Sequence, residues 1–167
     1  MRNLMIFAAI LVGLGTFMAQ LADRLTPVPA SASASVATID APVSGRSLSI
    51  QTDPRGHFRA AGRIDGQRIN FMVDTGASMV ALNETSAARF GLRPSRADYT
   101  ATVTTANGTV KGARARLAMV EVGELIVRDV DALVLPDEAL SENLLGLTFL
   151  SKLKRFAYAN GQMVLEQ

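Results

Sequence analysis

From Ser47 onward the chain alternates apolar and polar positions in short runs broken by turn dipeptides, the period-2 signature of half-buried strands. HFRAAGRI and QRINFMV flank Asp65-Gly66, ATVTTA and TVKGARARLAMVEV flank Asn107-Gly108, and RFAYA and QMVLEQ flank Asn160-Gly161. Each dipeptide tolerates the positive φ of a type I′ turn, so each predicts a hairpin. LIVRDVDALVLP predicts one or two further strands ending at Pro136. Helical signals are few. NETSAARF has Asn83 as its N-cap and Gly91 just past its end, and a second short helix is predicted over about Leu147–Lys152. The expectation is a mainly β domain over residues 47–167, closed into a small barrel with one or two short helices.

The pattern upstream is different. Residues 4–22, LMIFAAILVGLGTFMAQLA, are apolar and uncharged, and about 20 such residues span a bilayer core as a helix. Arg2 precedes the run, while Asp23 and Arg24 nearly cancel after it, so the positive-inside bias predicts a cytoplasmic N-terminus. Everything downstream is then periplasmic or otherwise extracytoplasmic, on a single pass through an inner membrane. The rival is a cleaved signal peptide, since small residues at Ala30–Ala34 suit a peptidase; the length of the run favours an uncleaved anchor within residues 1–24. Residues 25–46 carry Pro27, Pro29, Pro42 and an Ala/Ser alternation, which predicts a flexible tether.

Composition narrows the chemistry by subtraction. The 167 residues contain no cysteine and one histidine, His57, which excludes thiol catalysis, disulfides and Cys- or two-His zinc sites. No G-x-S-x-G elbow accompanies His57, so a Ser-His-Asp triad lacks its nucleophile signature, and a strand-edge histidine is the expected role. Adjacent Ser151 and Lys152 do not form a dyad, because neighbouring side chains diverge. The net charge is only +2, with arginines such as Arg89, Arg93, Arg96, Arg114 and Arg116 dispersed along the chain. Dispersal predicts a solvated surface and no nucleic-acid partner, which would want clustering and aromatic stacking. An Arg-rich face for anionic lipid or nucleic acid is the weaker alternative.

The stretch FMVDTGASMVAL, residues 71–82, holds the candidate chemistry. A carboxylate at the end of an apolar strand is costly unless it is paired or used. Asp74 could simply cap a turn before Gly76. Small Ala77 and Ser78 leave space beside it, and Thr75 and Ser78 add hydroxyls. The hydrophobic-Asp-Thr-Gly-Ala-Ser run resembles the active-site motif of the retropepsin-like aspartic proteases. The similarity extends to a hairpin at Thr105–Lys111 in the place of the family's flap and to Leu144-Leu145-Gly146-Leu147. The latter resembles the apolar-apolar-Gly element packed under the catalytic loop. An apolar N-terminal run with a Pro/Ala-rich tether is similar to the membrane-bound, single-domain bacterial members.

The resemblance implies an acid-protease-like barrel and an aspartic endopeptidase needing neither cofactor nor metal. Asp74 is then the catalytic residue, with Thr75, Gly76, Ala77, Ser78 and Gly146 supporting its loop. Thr105, Ala106, Asn107 and Gly108 lie at the heart of a substrate-binding flap that spans Thr104–Gly112. Hydrolysis without metal or covalent nucleophile needs one carboxylate to activate water and one carboxylic acid to polarise the carbonyl. A second Asp-Thr-Gly or Asp-Ser-Gly is absent, and Asp129, Asp131 and Asp137 lack the glycine turn. The second carboxylate must come from a second copy, which implies a homodimer acting on a peptide or protein substrate. The alternative is a catalytically silent peptide-binding or dimerisation module on the same scaffold.

Overall fold

The computed structural model describes residues 45–105 and 108–167. The apolar run, the tether up to residue 44, and the loop residues Ala106 and Asn107 lie outside the described residues. Among the described residues no helix is long and apolar enough to cross a membrane. The described residues form one compact unit with its own core.

Ten strands are described: β1 (Ser47–Gln51), β2 (Arg59–Ile64), β3 (Gln67–Val73), β4 (Val80–Asn83), β5 (Ala101–Thr105), β6 (Gly108–Val122), β7 (Leu125–Leu135), β8 (Leu144–Leu145), β9 (Arg155–Ala159) and β10 (Gln162–Glu166). The main sheet runs β2-β3-β8-β4-β7-β6-β5, and an added β2–β6 pairing closes its first six members into a ring. Closure removes the exposed edges that an open sheet would leave. It depends on Gly62, where a Cβ would sit 2.5 Å from the Glu121 carbonyl of β6. A separate sheet, β1-β10-β9, joins the start of the described chain to its end.

The predicted alternation is visible as burial. Ala60 and Ile64 of β2 and Ile69, Phe71 and Val73 of β3 point inward, and their neighbours face water. Two of the predicted turns are as expected, with Asp65 and Gly66 at φ 48° and 82° and Asn160 and Gly161 at 52° and 77°. The middle one is shifted. Thr105 pairs with Gly108, so Gly108 begins β6 and is not a central turn residue. LIVRDVDALVLP is one strand, interrupted at Asp129, whose φ of 55° marks where β7 changes its buried face.

Helix α1 (Glu84–Arg89) starts as its sequence predicts: the Asn83 side chain accepts the Ser86 N–H at 2.9 Å, and Gly91 follows at φ 78°. Helix α2 spans Leu147–Leu150, shorter than expected, with Ser151 as its C-cap donating its hydroxyl to the Leu147 carbonyl at 2.6 Å. His57 is not in a strand. It sits in the loop before β2, where the Asp53 carboxylate accepts its backbone N–H at 2.9 Å.

Candidate active site

Strand β3 delivers Asp74 to a loop held at both ends by backbone bonds. The Asp74 N–H donates to the Leu145 carbonyl at 3.2 Å, and the Leu147 N–H donates to the Ala77 carbonyl at 2.8 Å. Within the loop the Gly76 N–H donates to Asp74 Oδ1 at 2.8 Å, which fixes the carboxylate against its own turn. Gly146 makes this docking possible. A Cβ there would lie 2.2 Å from the Met79 carbonyl oxygen and 2.6 Å from that of Ala77, distances that van der Waals radii forbid. The Leu144-Leu145-Gly146 element therefore packs directly beneath the aspartate loop.

Two polar side chains brace the same region, and the sequence pattern singled out neither. Thr148 Oγ1 accepts the Val80 N–H at 2.9 Å and donates to the Asp131 carbonyl at 2.7 Å, joining α2 to β4 and β7. The Asn143 side chain accepts the Asn83 N–H at 3.2 Å and donates to Ser86 Oγ at 3.0 Å and to the Asn70 carbonyl at 3.4 Å. A polar Asn next to the apolar Leu144-Leu145 pair was the available signal. Its partners lie 57 to 73 residues away, so local reasoning has no means of naming them.

Asp74 lies on the floor of a cleft of ≈ 700 Å³. Gly76, Ala77 and Ser78 share that lining, and Val103, Thr104 and Thr105 reach it from the β5–β6 hairpin. Thr105 Oγ1 donates to the Gly108 carbonyl at 2.8 Å, tying the two arms of the hairpin together. A second, smaller apolar cluster of Ala81, Leu133 and Leu135 lies beneath, with Val103, Val110 and Leu140 packed on it. This surface suits apolar side chains of an extended ligand. Thr75 is exposed outside the cleft lining, and so is Gly108.

Part of the cleft lining is charged. Arg59 bridges two carboxylates, Nε to Asp53 Oδ2 at 2.8 Å and Nη2 to Glu142 Oε1 at 2.7 Å, and so joins β2 to the loop after β7. The hydrogen bond from Arg59, followed by that from the His57 backbone, holds the Asp53 carboxyl down at about 2. Arg55, His57, Arg59 and Glu142 all line the cleft and were not anticipated. Elsewhere Asp137 accepts from the Thr85 hydroxyl and N–H at 2.6 and 2.9 Å. Those bonds lower its pKa and attach the start of α1 to the same post-β7 loop. Among the described residues, no group of three or more His, Cys, Asp or Glu side chains is arranged to hold a metal ion.

The sequence model of the family described as gag-polyprotein putative aspartyl protease matches residues 60–152, from β2 to just beyond α2. An uncharacterized protein from the cobV 5′ region of Sinorhizobium sp is 38% identical over 99 residues, 59% of this chain and 42% of that protein. An uncharacterized protein of Rickettsia prowazekii is 34% identical over 110 residues, 66% of this chain and 47% of that protein. The chain thus spans less than half the length of these curated relatives. Among solved structures, a retropepsin-like aspartic protease from Rickettsia conorii is similar at 32% identity and a TM-score of 0.65, covering 73% of this chain and 91% of that one. By the extent of these matches and by the loop that holds Asp74, the chain belongs to the gag-polyprotein putative aspartyl protease family, with a retropepsin-like fold.

Proposed function

We propose that this chain is an aspartic endopeptidase that works as a homodimer, each copy contributing its Asp74 to one shared site. The observation that carries the reading is the position of Asp74: a carboxylate held by its own turn in the lining of a cleft with both apolar and polar walls, beside exposed Thr75 and Gly76. One carboxylate cannot act as general base and general acid in the same step, and a two-fold axis beside the loop supplies the second. Two such groups at short range share one proton and titrate as a pair.

In this mechanism the ionised partner removes a proton from a water held between the carboxylates. The protonated partner hydrogen-bonds to the scissile carbonyl. Attack gives a tetrahedral diol, and transfer of a proton to the amide nitrogen releases the amine as the C–N bond breaks. Thr75 braces one loop against its mate, and the β5–β6 hairpin covers an extended peptide with backbone hydrogen bonds and excludes water. The reading includes the N-terminal apolar run as an inner-membrane anchor with the protease unit outside the cytoplasm, supported by the run's length and the Arg2 bias.

The test is cleavage of a peptide library by purified 42–167 across about pH 3 to 7, the range in which one of two paired carboxylates holds a proton. Asp74→Asn should abolish turnover while leaving the fold unchanged by circular dichroism. Sedimentation should show activity rising with the dimer fraction. An active Asn variant, or an active monomer, refutes the mechanism. Peptide binding without cleavage at any of these pH values indicates the silent module instead.

A further inference from the structure

On the outer face of the β2–β3 hairpin the fold gathers cations that the sequence leaves apart. Arg63 and Arg68 are direct cross-strand partners and both are exposed. Like charges placed opposite each other in this way oppose the pairing, since their Cβ atoms stand about 5 Å apart. Arg89, from the end of α1, joins them. Its Nη2 donates to the Arg68 carbonyl at 3.1 Å, and its guanidinium lies 5.8 Å from the centre of the Phe90 ring. The three arginines border a concavity of ≈ 690 Å³ together with Asn70 and Glu121. Glu121 is the register partner of Arg63 across β6, yet among the described residues none of the three arginines forms an ion pair within 4.0 Å. Two like charges are thus held opposite each other without a close ion pair to offset them, the kind of local conflict that marks a functional surface.

We propose that Arg63, Arg68 and Arg89 form a docking face for the phosphate headgroups of an anionic membrane. The inference rests on the anchored reading above. No aromatic residue lines the concavity, and its apolar lining is limited to Ala61, Gly62, Ile69 and Gly123. Single-stranded nucleic acid would want stacking rings, and a protein partner would want an aromatic anchor in a pocket. A headgroup layer asks only for positive charge close to the surface. The tether adds the second argument. In the anchored reading, residues 23–44 link the apolar run to the described unit, and a linker of that length and Pro/Ala/Ser-rich composition has a root-mean-square reach of about 25 Å. That is on the order of the unit's own diameter, so the local concentration of headgroups is high and a weak face is occupied. Arg68 precedes Asp74 by six strand positions, about 20 Å, so docking here leaves the aspartate cleft open.

The absence of cysteine permits a clean test. The full chain carrying Gln67→Cys with a fluorophore on that thiol is reconstituted into nanodiscs of phosphatidylcholine alone or with about one third phosphatidylglycerol. A headgroup-bound quencher reads docking. Quenching should appear only with the anionic lipid and vanish at about 0.5 M salt, where the screening length is a few ångströms. In an Arg63→Ala, Arg68→Ala double variant the docked-to-free ratio should fall about 30-fold. Peptide hydrolysis should be unchanged. Equal quenching in both lipids, or quenching that survives the double substitution, overturns the proposal. Displacement by millimolar inorganic phosphate with no dependence on lipid charge identifies a free-anion site and also overturns it. A chain that never enters the discs refutes the anchored reading and this inference together, while cleavage by Asp74 is scored separately.

Discussion

Gly146→Ala isolates one physical cause, the close approach of α2 to the aspartate loop. The added methyl would meet the Met79 carbonyl oxygen at 2.2 Å and that of Ala77 at 2.6 Å. Carbon–oxygen contact needs more than 3 Å, and both neighbours are backbone atoms of a braced loop that cannot rotate away. Relief requires the loop and α2 to separate by about 1 Å. That strains the bond from the Leu147 N–H to Ala77 and the bond from the Asp74 N–H to Leu145. Overpacking of this kind costs about 1–3 kcal/mol, and each weakened bond adds about 0.5–1.5 kcal/mol. The expected loss is about 2–6 kcal/mol, a fall in Tm on the order of 10 °C or more for a unit of this size. Urea unfolding of 42–167 with an unchanged m-value measures it. Gly161→Ala is the control, because its Cβ meets nothing within 4 Å and only its φ of 77° is unfavourable; it should cost about 1–2 kcal/mol. A Gly146→Ala protein within 0.5 kcal/mol of the parent, or one no less stable than Gly161→Ala, refutes the reasoning.

Asn143→Ala removes the partner of the Asn83 N–H, of Ser86 Oγ and of the Asn70 carbonyl. An expected loss of about 1–3 kcal/mol in urea unfolding follows from leaving partly buried groups unsatisfied. Thr148→Val keeps the shape but deletes bonds to Val80 and Asp131; a similar loss is expected, and heteronuclear NMR should show the shifts concentrated at residues 76–82. Asp53 has a folded pKa lowered from 3.8 to about 2. Its contribution to stability is present above the unfolded value and is lost as pH falls from about 4 through about 2. A carboxyl-carbon NMR titration should find Asp53 near 2 and find it raised in Arg59→Ala, while an unmoved value would refute the Arg59 assignment.

The clamp at Arg59 bears on how the site is shaped. Arg59 joins strand β2 to Glu142 across 83 residues of sequence, and Thr85 joins α1 to Asp137 across 52. Both attachments act on the post-β7 loop, whose Leu140 packs on the small apolar cluster beneath the cleft. The loop is thus set by charged and hydroxyl contacts together with apolar packing. Asp53 stays ionised below the ordinary carboxylate range, so its link to Arg59 persists in mild acid.

What the sequence determined by itself was local. Asp65-Gly66 and Asn160-Gly161 make turns because backbone sterics act within two residues, and Asn83 caps α1 because its oxygen reaches an N–H three positions on. The turn at Asp74 to Gly76 is legible for the same reason. The tertiary structure decided whatever depends on chain segments meeting from far apart. Strand β8 is two residues long, too short to carry a period, and exists because β3 and β4 offer it partners. Gly62 looked like an ordinary strand residue until β6 closed over it. Gly108 moved from the turn into β6 because register is settled along the whole hairpin and not by a dipeptide. Arg63, Arg68 and Arg89 read as dispersed charge in one dimension and become a single face only when a hairpin and a helix end are packed together. Local rules act through bonds and short reach, whereas proximity across the chain is created only when the barrel shuts.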